Sequence, residues 1–303
     1  VLQAVFEYQT LICQLTAMDV ANASLYDGAT GLAEAALMAV AITGGSRVVT
    51  FGSLHPDYRM VVETYLQAID VELVVIPAEK GLADVAALKP LLGKKTAAVL
   101  VQQPNFFGLL ESVDEIGALV QGTPTLLVAC VNPISLGILE PPAKYGADIV
   151  VGDGQPLGNP TAFGGPSFGF MAVRQKYIRR MPGRIVGETQ DAEGNRGFVL
   201  TLQTREQHIR RQRATSNICT NAAHSALIGT IYLALLGKAG LRDVAIQCAQ
   251  KAHFAAEQIC ALPGWEMLFD GPFYHEFAVK APVHWSKVNT ALLKEGTIGG
   301  LPL

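Results

Sequence analysis

The sequence ADIVVGDGQPLG, residues 147–158, decides the fold of this chain. Its first five residues are typical of a buried strand, and the glycine-rich remainder predicts a loop at the carboxyl end of that strand. The chain has no lysine between Lys144 and Lys176. The loop therefore places Gln155 and Pro156 at the edge of the predicted sheet. No lysine side chain follows this strand to supply an amine there.

Working outward from this stretch, apolar strand patterns alternate with helical ones. The predicted strands are 47–51, 71–76, 96–101, 126–131 and 149–151, and the predicted helices between them include 28–42, 57–69 and 82–92. Strands joined by helical connections form right-handed βαβ units, and strands without polar alternation are covered on both faces. The fold class is therefore α/β, with a mostly parallel sheet sandwiched by helices.

The second half of the chain has a different pattern. A hairpin is predicted from 184–188 and 197–202, and two long helices follow from Thr220, broken near 237–240. A strand-like stretch at 273–279 then begins a partial, smaller C-terminal α+β domain. We expect a large domain over 1–235 and the truncated start of a second over 236–303, as in a piece of a longer polypeptide.

Composition limits the cellular setting. Half of the 303 residues are apolar and 16% are charged, but no run of eighteen uninterrupted apolar residues predicts a membrane span, and no signal peptide is expected. The five cysteines are scattered, without a C-x-x-C pair. They predict reduced thiols in a cytosolic or organelle-matrix protein without a disulfide framework, and we expect a cytoplasmic location.

The stretch 27–31, Asp-Gly-Ala-Thr-Gly, opens a predicted helix that is apolar nearly all round. Free N–H groups and the helix dipole at such a start form an anion site, and glycine lets a phosphate approach closely. This interpretation makes Gly28, Ala29 and Thr30 one wall of a pocket. The alternative is that Asp27 or Thr30 only caps the helix and that Gly28 shapes the turn.

His55 lies just beyond the carboxyl end of the predicted strand 47–51, where open α/β sheets bind ligands. An imidazole at this place could stack on a flat ring. The alternative is that His55 only starts the helix ahead of Pro56.

Two substitutions argue against a working cofactor centre. In pyridoxal-phosphate enzymes of the large α/β class, a lysine just past the strand at 149–151 would hold the cofactor, but Gln155 and Pro156 stand there. Asn132 follows the strand 126–131, where such enzymes usually need a carboxylate to keep the pyridine nitrogen protonated. Asn132 and Gln155 therefore predict a vestigial pocket without catalytic residues.

Other site types are disfavoured. The glycines of 152–158 miss the G-x-G-x-x-G spacing, and Pro156 and Pro160 would spoil the start of the helix that a dinucleotide site requires. No cluster of His, Cys and Asp has metal-ligand spacing, and no nucleophile motif such as G-x-S-x-G is present.

Residues 174–213 hold ten Arg or Lys against four acids, so this segment is locally basic. Nucleic-acid binding is disfavoured because the stretch 204–217 lacks interleaved aromatic residues and the chain carries a net charge of −3. A solvated helix face is one interpretation and a docking surface is another. The candidate interface residues are Arg205, His208, Arg210 and Arg211.

Several motifs occur in order and together resemble one family. They are EYQT (7–10), ANAS (21–24), GADIV (146–150), FGGP (163–166), MPGRIVG (181–187) and the stretch 204–220. Over essentially its whole length the chain resembles the glycine cleavage system P protein, glycine dehydrogenase (decarboxylating). It is most similar to the cofactorless half, which in many prokaryotes is a separate chain called subunit 1.

The resemblance implies a fold-type-I transferase architecture of the pyridoxal-phosphate class and a heterotetramer of two subunit-1 and two subunit-2 chains. It also implies that subunit 2 carries the pyridoxal phosphate. The complex would decarboxylate glycine and pass the aminomethyl group to the lipoyl arm of H protein. This chain would bind no cofactor, metal, nucleic acid or membrane, and would be inactive alone.

Two alternatives remain open at this stage. The chain could be an independent enzyme of the same fold that uses an unusual lysine, for which Lys144 is a poor candidate because it precedes its strand. It could also keep the pocket only to bind an amino acid or nucleotide effector, in which case binding would saturate without turnover.

Overall fold

The computed structural model describes residues 1–218 and 222–303. Its main feature is a seven-stranded sheet in the order β1-β7-β6-β5-β4-β2-β3. The strands are β1 (Val20–Ala21), β2 (Arg47–Phe51), β3 (Glu72–Ile76), β4 (Thr96–Gln103), β5 (Leu126–Val131), β6 (Ile149–Asp153) and β7 (Gly169–Val173). Strands β2 to β6 run parallel, and β7 lies antiparallel to both β6 and β1.

The remaining elements surround this sheet or extend from it. The helices are α1 (Leu2–Thr16), α2 (Gly28–Thr43), α3 (Pro56–Gln67), α4 (Val85–Leu88), α5 (Val113–Val120), α6 (Gln207–Arg210), α7 (Ala223–Cys260) and α8 (Trp285–Lys294). Two further ribbons pair β8 (Ile185–Gln190) with β9 (Arg196–Thr201) and β10 (Glu266–Met267) with β11 (Val279–Lys280).

Both faces of the sheet are buried, as the apolar strands predict. Alternate residues of β5 point to opposite faces, so Leu127 packs in one core cluster and Val128 in the other. Ile12 of α1 and Leu233 of α7 belong to the first cluster, and Leu32 of α2 belongs to the second. The predicted α/β class with helices on both faces is confirmed.

Two expectations about strands need correction. Neither β1 nor β7 was predicted, because β1 has only two residues and β7 is a short strand that follows a glycine-rich loop. The stretch 273–279 is not one strand: Phe273 makes an isolated bridge to Leu109, and β11 begins only at Val279. The segment instead pairs with the loop before α5, where the Tyr274 N–H donates to the Gly108 carbonyl at 3.0 Å.

Helix α7 connects the large domain to the C-terminal region. Gly237 interrupts it with non-helical backbone angles (φ 58°, ψ −171°), close to the predicted break. Among the described residues, α7 alone has the length and apolar composition of a membrane-crossing helix, which the sequence analysis did not foresee. Because Leu233, Leu241 and Ala245 pack in the core, we interpret α7 as a core helix. The domain boundary between 235 and 236 stays a prediction.

Candidate functional site

A small cavity of about 120 Å³ opens at the carboxyl ends of β4, β5 and β6. This is the edge where open α/β sheets bind ligands, because the loops that follow parallel strands converge there. The residues lining the cavity include Tyr58, Gln102, Cys130, Asn132, Asp153, Pro156, His275 and Glu276.

The start of α2 forms one side of this region. Asp27 caps the helix, since its Oδ1 accepts from the Thr30 N–H at 2.8 Å and from the Thr30 hydroxyl at 2.7 Å. The capping interpretation of Asp27 is therefore confirmed, and the Thr30 hydroxyl is committed to it. Ala29 is buried in the same turn.

The anion interpretation of this helix start has an unexpected outcome. The Gly28 N–H donates to Oδ2 of Asp153 at 3.2 Å, so a carboxylate of the chain itself lies on the first turn of α2. The other oxygen, Oδ1, accepts from the Gln155 N–H and from the Ser167 hydroxyl, both at 2.8 Å. Asp153 is held by three donors from three separate segments.

Tyr58 of α3 fills the remaining space beside this helix start. A Cβ placed on Gly28 would lie 2.5 Å from the Tyr58 hydroxyl oxygen and 2.8 Å from the backbone nitrogen of Asp153. Burial raises the pKa of the Tyr58 hydroxyl, and the nearby Cys130 and Asp153 raise it further. The hydroxyl therefore stays protonated at neutral pH and adds no negative charge beside Asp153.

His55 has the helix-start role that was its alternative interpretation. Its Nδ1 accepts from the Asp57 backbone N–H at 3.2 Å, which caps α3, and the backbone N–H of His55 donates to Gln102 Oε1 at 2.8 Å. The imidazole also meets aromatic side chains, with ring centroids 5.2 Å from Tyr58 and 4.8 Å from Phe106. These protein rings occupy the neighbourhood in which a ligand ring was expected.

Asn132 lines the cavity as predicted by its position after β5. Its Oδ1 accepts from the N–H groups of Ile134 at 2.9 Å and Ser135 at 3.3 Å, so it caps the following turn. Its Nδ2 lies 3.5 Å from Nε2 of His275. The amide therefore has a structural function here and offers no negative charge.

Sequence reasoning missed His275, which reaches the cavity from the segment that was predicted as a strand. Its Nδ1 is buried without a hydrogen-bond partner. Burial lowers the pKa of the imidazole, and the neighbouring Glu276 opposes that shift. No signal near His275 in the sequence indicated that it would meet Asn132.

Gln155 turns away from the cavity. Its Nε2 donates to the Asn159 carbonyl at 2.6 Å, within its own loop. Of the six predicted pocket residues, Asn132 lines the cavity, whereas Gly28, His55 and Gln155 each contact a residue that does. Lys144 is exposed and lies with Asp148 in a separate surface cavity at the amino end of β6.

The predicted interface residues divide into two groups. Arg205 is only 7% exposed, and its guanidinium donates to the carbonyls of Met181, Gly183 and Leu202. It anchors the loop from within instead of presenting a charge to a partner, which corrects its predicted role. His208, Arg210 and Arg211 are exposed and stay candidates.

The class comes first: the architecture is a fold-type-I scaffold of the pyridoxal-phosphate class, and among the described residues no lysine lines its carboxyl-edge pocket. The architecture aligns with a solved structure of the cystine lyase C-DES with glycine covalently linked to its PLP cofactor (TM-score 0.66, 16% identity, 97% of this chain and 76% of that one). At that identity the likeness shows the fold alone.

Closer relatives define the family. The chain is 56% identical to the "Probable glycine dehydrogenase (decarboxylating) subunit 1" of Carboxydothermus hydrogenoformans, over 99% of this chain and 67% of that protein. It aligns with a crystal structure of an inhibitor-bound glycine decarboxylase (P-protein) at a TM-score of 0.96 and 47% identity, covering 100% of this chain and 68% of that one. Residues 1–302 match the family described as glycine cleavage system P-protein. The chain belongs to this family.

The residues present do not fit bound pyridoxal phosphate. Among the described residues no lysine lines the cavity, and Asn132 stands in place of a carboxylate. The helix start that would receive the phosphate already holds the Asp153 carboxylate. A second anion on the same N–H groups would be repelled by the first.

Metal binding has no support either. Within residues 1–218 and 222–303, no group of three or more His, Cys, Asp or Glu side chains could hold a metal ion.

Proposed function

We propose that this chain is the cofactorless subunit of a glycine-decarboxylating P protein. With a subunit 2 that carries pyridoxal phosphate, it would form a heterotetramer of two plus two chains in the cytoplasm. The complex acts as an oxidoreductase of the glycine cleavage system, which decarboxylates glycine and transfers the aminomethyl group to the lipoyl arm of H protein. This chain supplies structure and docking surfaces.

The hydrogen bond between the Gly28 N–H and Asp153 carries this proposal. A cofactor enzyme keeps its phosphate-binding helix start free, whereas this chain has closed it with its own carboxylate. The position of Lys144 at the opposite edge of the sheet gives no support to an independent enzyme. The alternative that the chain binds a small effector is supported only by the cavity of about 120 Å³, and it stays a prediction.

The docking part of the proposal depends on the basic loop, residues 204–218. Its beginning is fixed by Arg205, whose guanidinium binds three backbone carbonyls. Near its end, the Ser216 side chain reaches Glu34, a residue of α2 that is only 5% exposed, and opposes the rise in the pKa of that carboxyl. Between these anchors the loop presents His208, Arg210 and Arg211 to solvent.

A row of exposed apolar side chains lies on α7. Leu227, Ile231 and Leu235 follow one another at intervals of four residues and are 39%, 51% and 82% exposed. Residues four apart lie on the same face of a helix. A row of exposed apolar side chains on one helix face is typical of a surface that another protein covers, and we assign this face to subunit 2.

The test is release of labelled CO2 from labelled glycine in the presence of lipoylated H protein. The full-length form of this chain alone should release none, and addition of subunit 2 should give turnover. Activity of this chain alone, or full activity of subunit 2 without it, would contradict the proposal.

A further inference from the structure

The segment 152–154, Gly-Asp-Gly, ends β6 and brings an acidic side chain to the start of α2. A Cβ on Gly152 would lie 2.3 Å from the Val131 carbonyl oxygen, and one on Gly154 would lie 2.2 Å from the Phe168 ring. Both glycines are therefore needed for the end of β6 to pack this closely. The close packing places Asp153 against the first turn of α2.

Three donors of the chain surround the Asp153 carboxylate. The Gly28 N–H, the Gln155 N–H and the Ser167 hydroxyl all point to its two oxygens, at 2.8–3.2 Å. The partial positive charge at the start of α2 adds to them. A side chain at residue 28 would also keep Asp153 away from this helix start, because a Cβ on Gly28 would lie 2.5 Å from the Tyr58 hydroxyl oxygen.

We propose that the Asp153 carboxylate is a resident anion in a phosphate-binding site, and that it is the residue that excludes phosphate groups from this chain. The donors that hold it are of the kind that bind a phosphate, and the carboxylate supplies the negative charge that would otherwise come from a ligand. Removing the carboxylate leaves these partly buried donors without their acceptor, and a free anion can replace it.

An alternative is that Asp153 only stabilises the helix start, as a capping residue does. The two accounts differ in the behaviour of a variant. If the residue were only a cap, Asp153→Ala would be less stable and would bind nothing. If it is a resident anion, Asp153→Ala creates a site for one phosphate per chain.

The experiment is calorimetric titration of inorganic phosphate into the holo complex of the full-length chain with subunit 2, whose own cofactor site is already filled. We expect Asp153→Ala to bind one phosphate per chain at least about tenfold more tightly than the unaltered protein does. Ser167→Ala is the matched control. It removes one donor but keeps the carboxylate, and it should gain no phosphate binding.

Two results would overturn the inference: phosphate binding by the unaltered chain at this site, or none by a folded Asp153→Ala complex. If that variant does not fold, Asp153→Ser provides the same test, because its hydroxyl can still accept from the Gly28 N–H without a charge. This inference rests on the proposed cofactorless role. The titration measures phosphate binding and the CO2-release experiment measures turnover, so the two can fail independently.

Discussion

The carboxyl edge of the sheet and the basic loop 204–218 both contain charged residues, but they use them in opposite ways. At the sheet edge, the Asp153 carboxylate is enclosed by three donors from its own chain. In the loop, Arg205 is buried and bonded, whereas Arg210 and Arg211 are exposed. At the sheet edge these donors are already used within the chain, whereas the loop presents its charges to solvent. This division suits the supporting role that we propose for the chain.

The largest expected effect concerns the anchor of the loop. Arg205→Met should lower the free energy of unfolding by about 3 kcal/mol, because it leaves the carbonyls of Met181 and Gly183 buried without their donor. Chemical denaturation measures this change. The control is Arg213→Met, an exposed residue of the same loop, which should be nearly neutral. Equal losses of unfolding free energy in the two variants would contradict the assignment of Arg205 as the anchor of the loop.

The sheet edge should be almost as sensitive. Gly28→Ala should cost about 2 kcal/mol of stability, since its Cβ would lie 2.5 Å from Tyr58 and 2.8 Å from the Asp153 nitrogen. Gly187→Ala is the control, because its Cβ would meet nothing closer than 3.5 Å. Thermal and denaturant unfolding measure both variants. If Gly28→Ala and Gly187→Ala lose the same stability, the space around Gly28 is not tightly packed.

Charge reversal should show whether the open region docks a partner. Arg210→Glu combined with Arg211→Glu should weaken binding to subunit 2 about tenfold, or about 1.4 kcal/mol, with little change in stability. Co-purification and a binding titration at fixed salt measure this. Lys287→Glu with Lys294→Glu makes the same charge change on α8 and should leave binding unaltered. Unchanged association of the loop variant refutes its docking role.

A smaller effect is a dependence on pH through Glu34. Burial raises the pKa of this carboxyl above its ordinary 4.5, and the hydrogen bond from Ser216 opposes the shift. Because the folded chain favours the protonated form, the stability contributed by Glu34 is complete below pH 4.5 and declines as the pH rises through the raised value. Glu34→Gln should flatten that part of the stability curve. A variant curve parallel to the original would contradict this assignment.

The smallest expected effect is none at all. Gln155→Lys should not make this chain an active enzyme, because residue 155 turns toward the Asn159 carbonyl, and Asp153 still occupies the helix start. The measurement is glycine decarboxylation by the variant without subunit 2. Appreciable turnover would mean that only the lysine separates this pocket from a working one.

Much of the fold could be predicted because it depends on local pattern. Apolar runs located β2 at 47–51 and β5 at 126–131 with the bounds that the structure has. The failures involve pairing between distant segments. Strand β1 has two residues and exists only because β7 lies beside it, and the stretch 273–279 is shaped by the loop near Gly108.

The site was less predictable for the same reason. Asn132 could be placed by its position after a strand, and it does line the cavity. Asp153 was visible in the sequence, but its role depends on Gly28, which is 125 residues away. Arg205 and Arg210 look alike in the sequence, and only the fold shows that one is buried and the other exposed.

The central claim is that this chain holds no pyridoxal phosphate while its partner does. The most direct test is to mix each purified subunit with pyridoxal phosphate, reduce with borohydride, and weigh both proteins by mass spectrometry. We predict a stoichiometric adduct on subunit 2 and no specific adduct on this chain. A stoichiometric adduct mapped to one lysine of this chain would contradict the account.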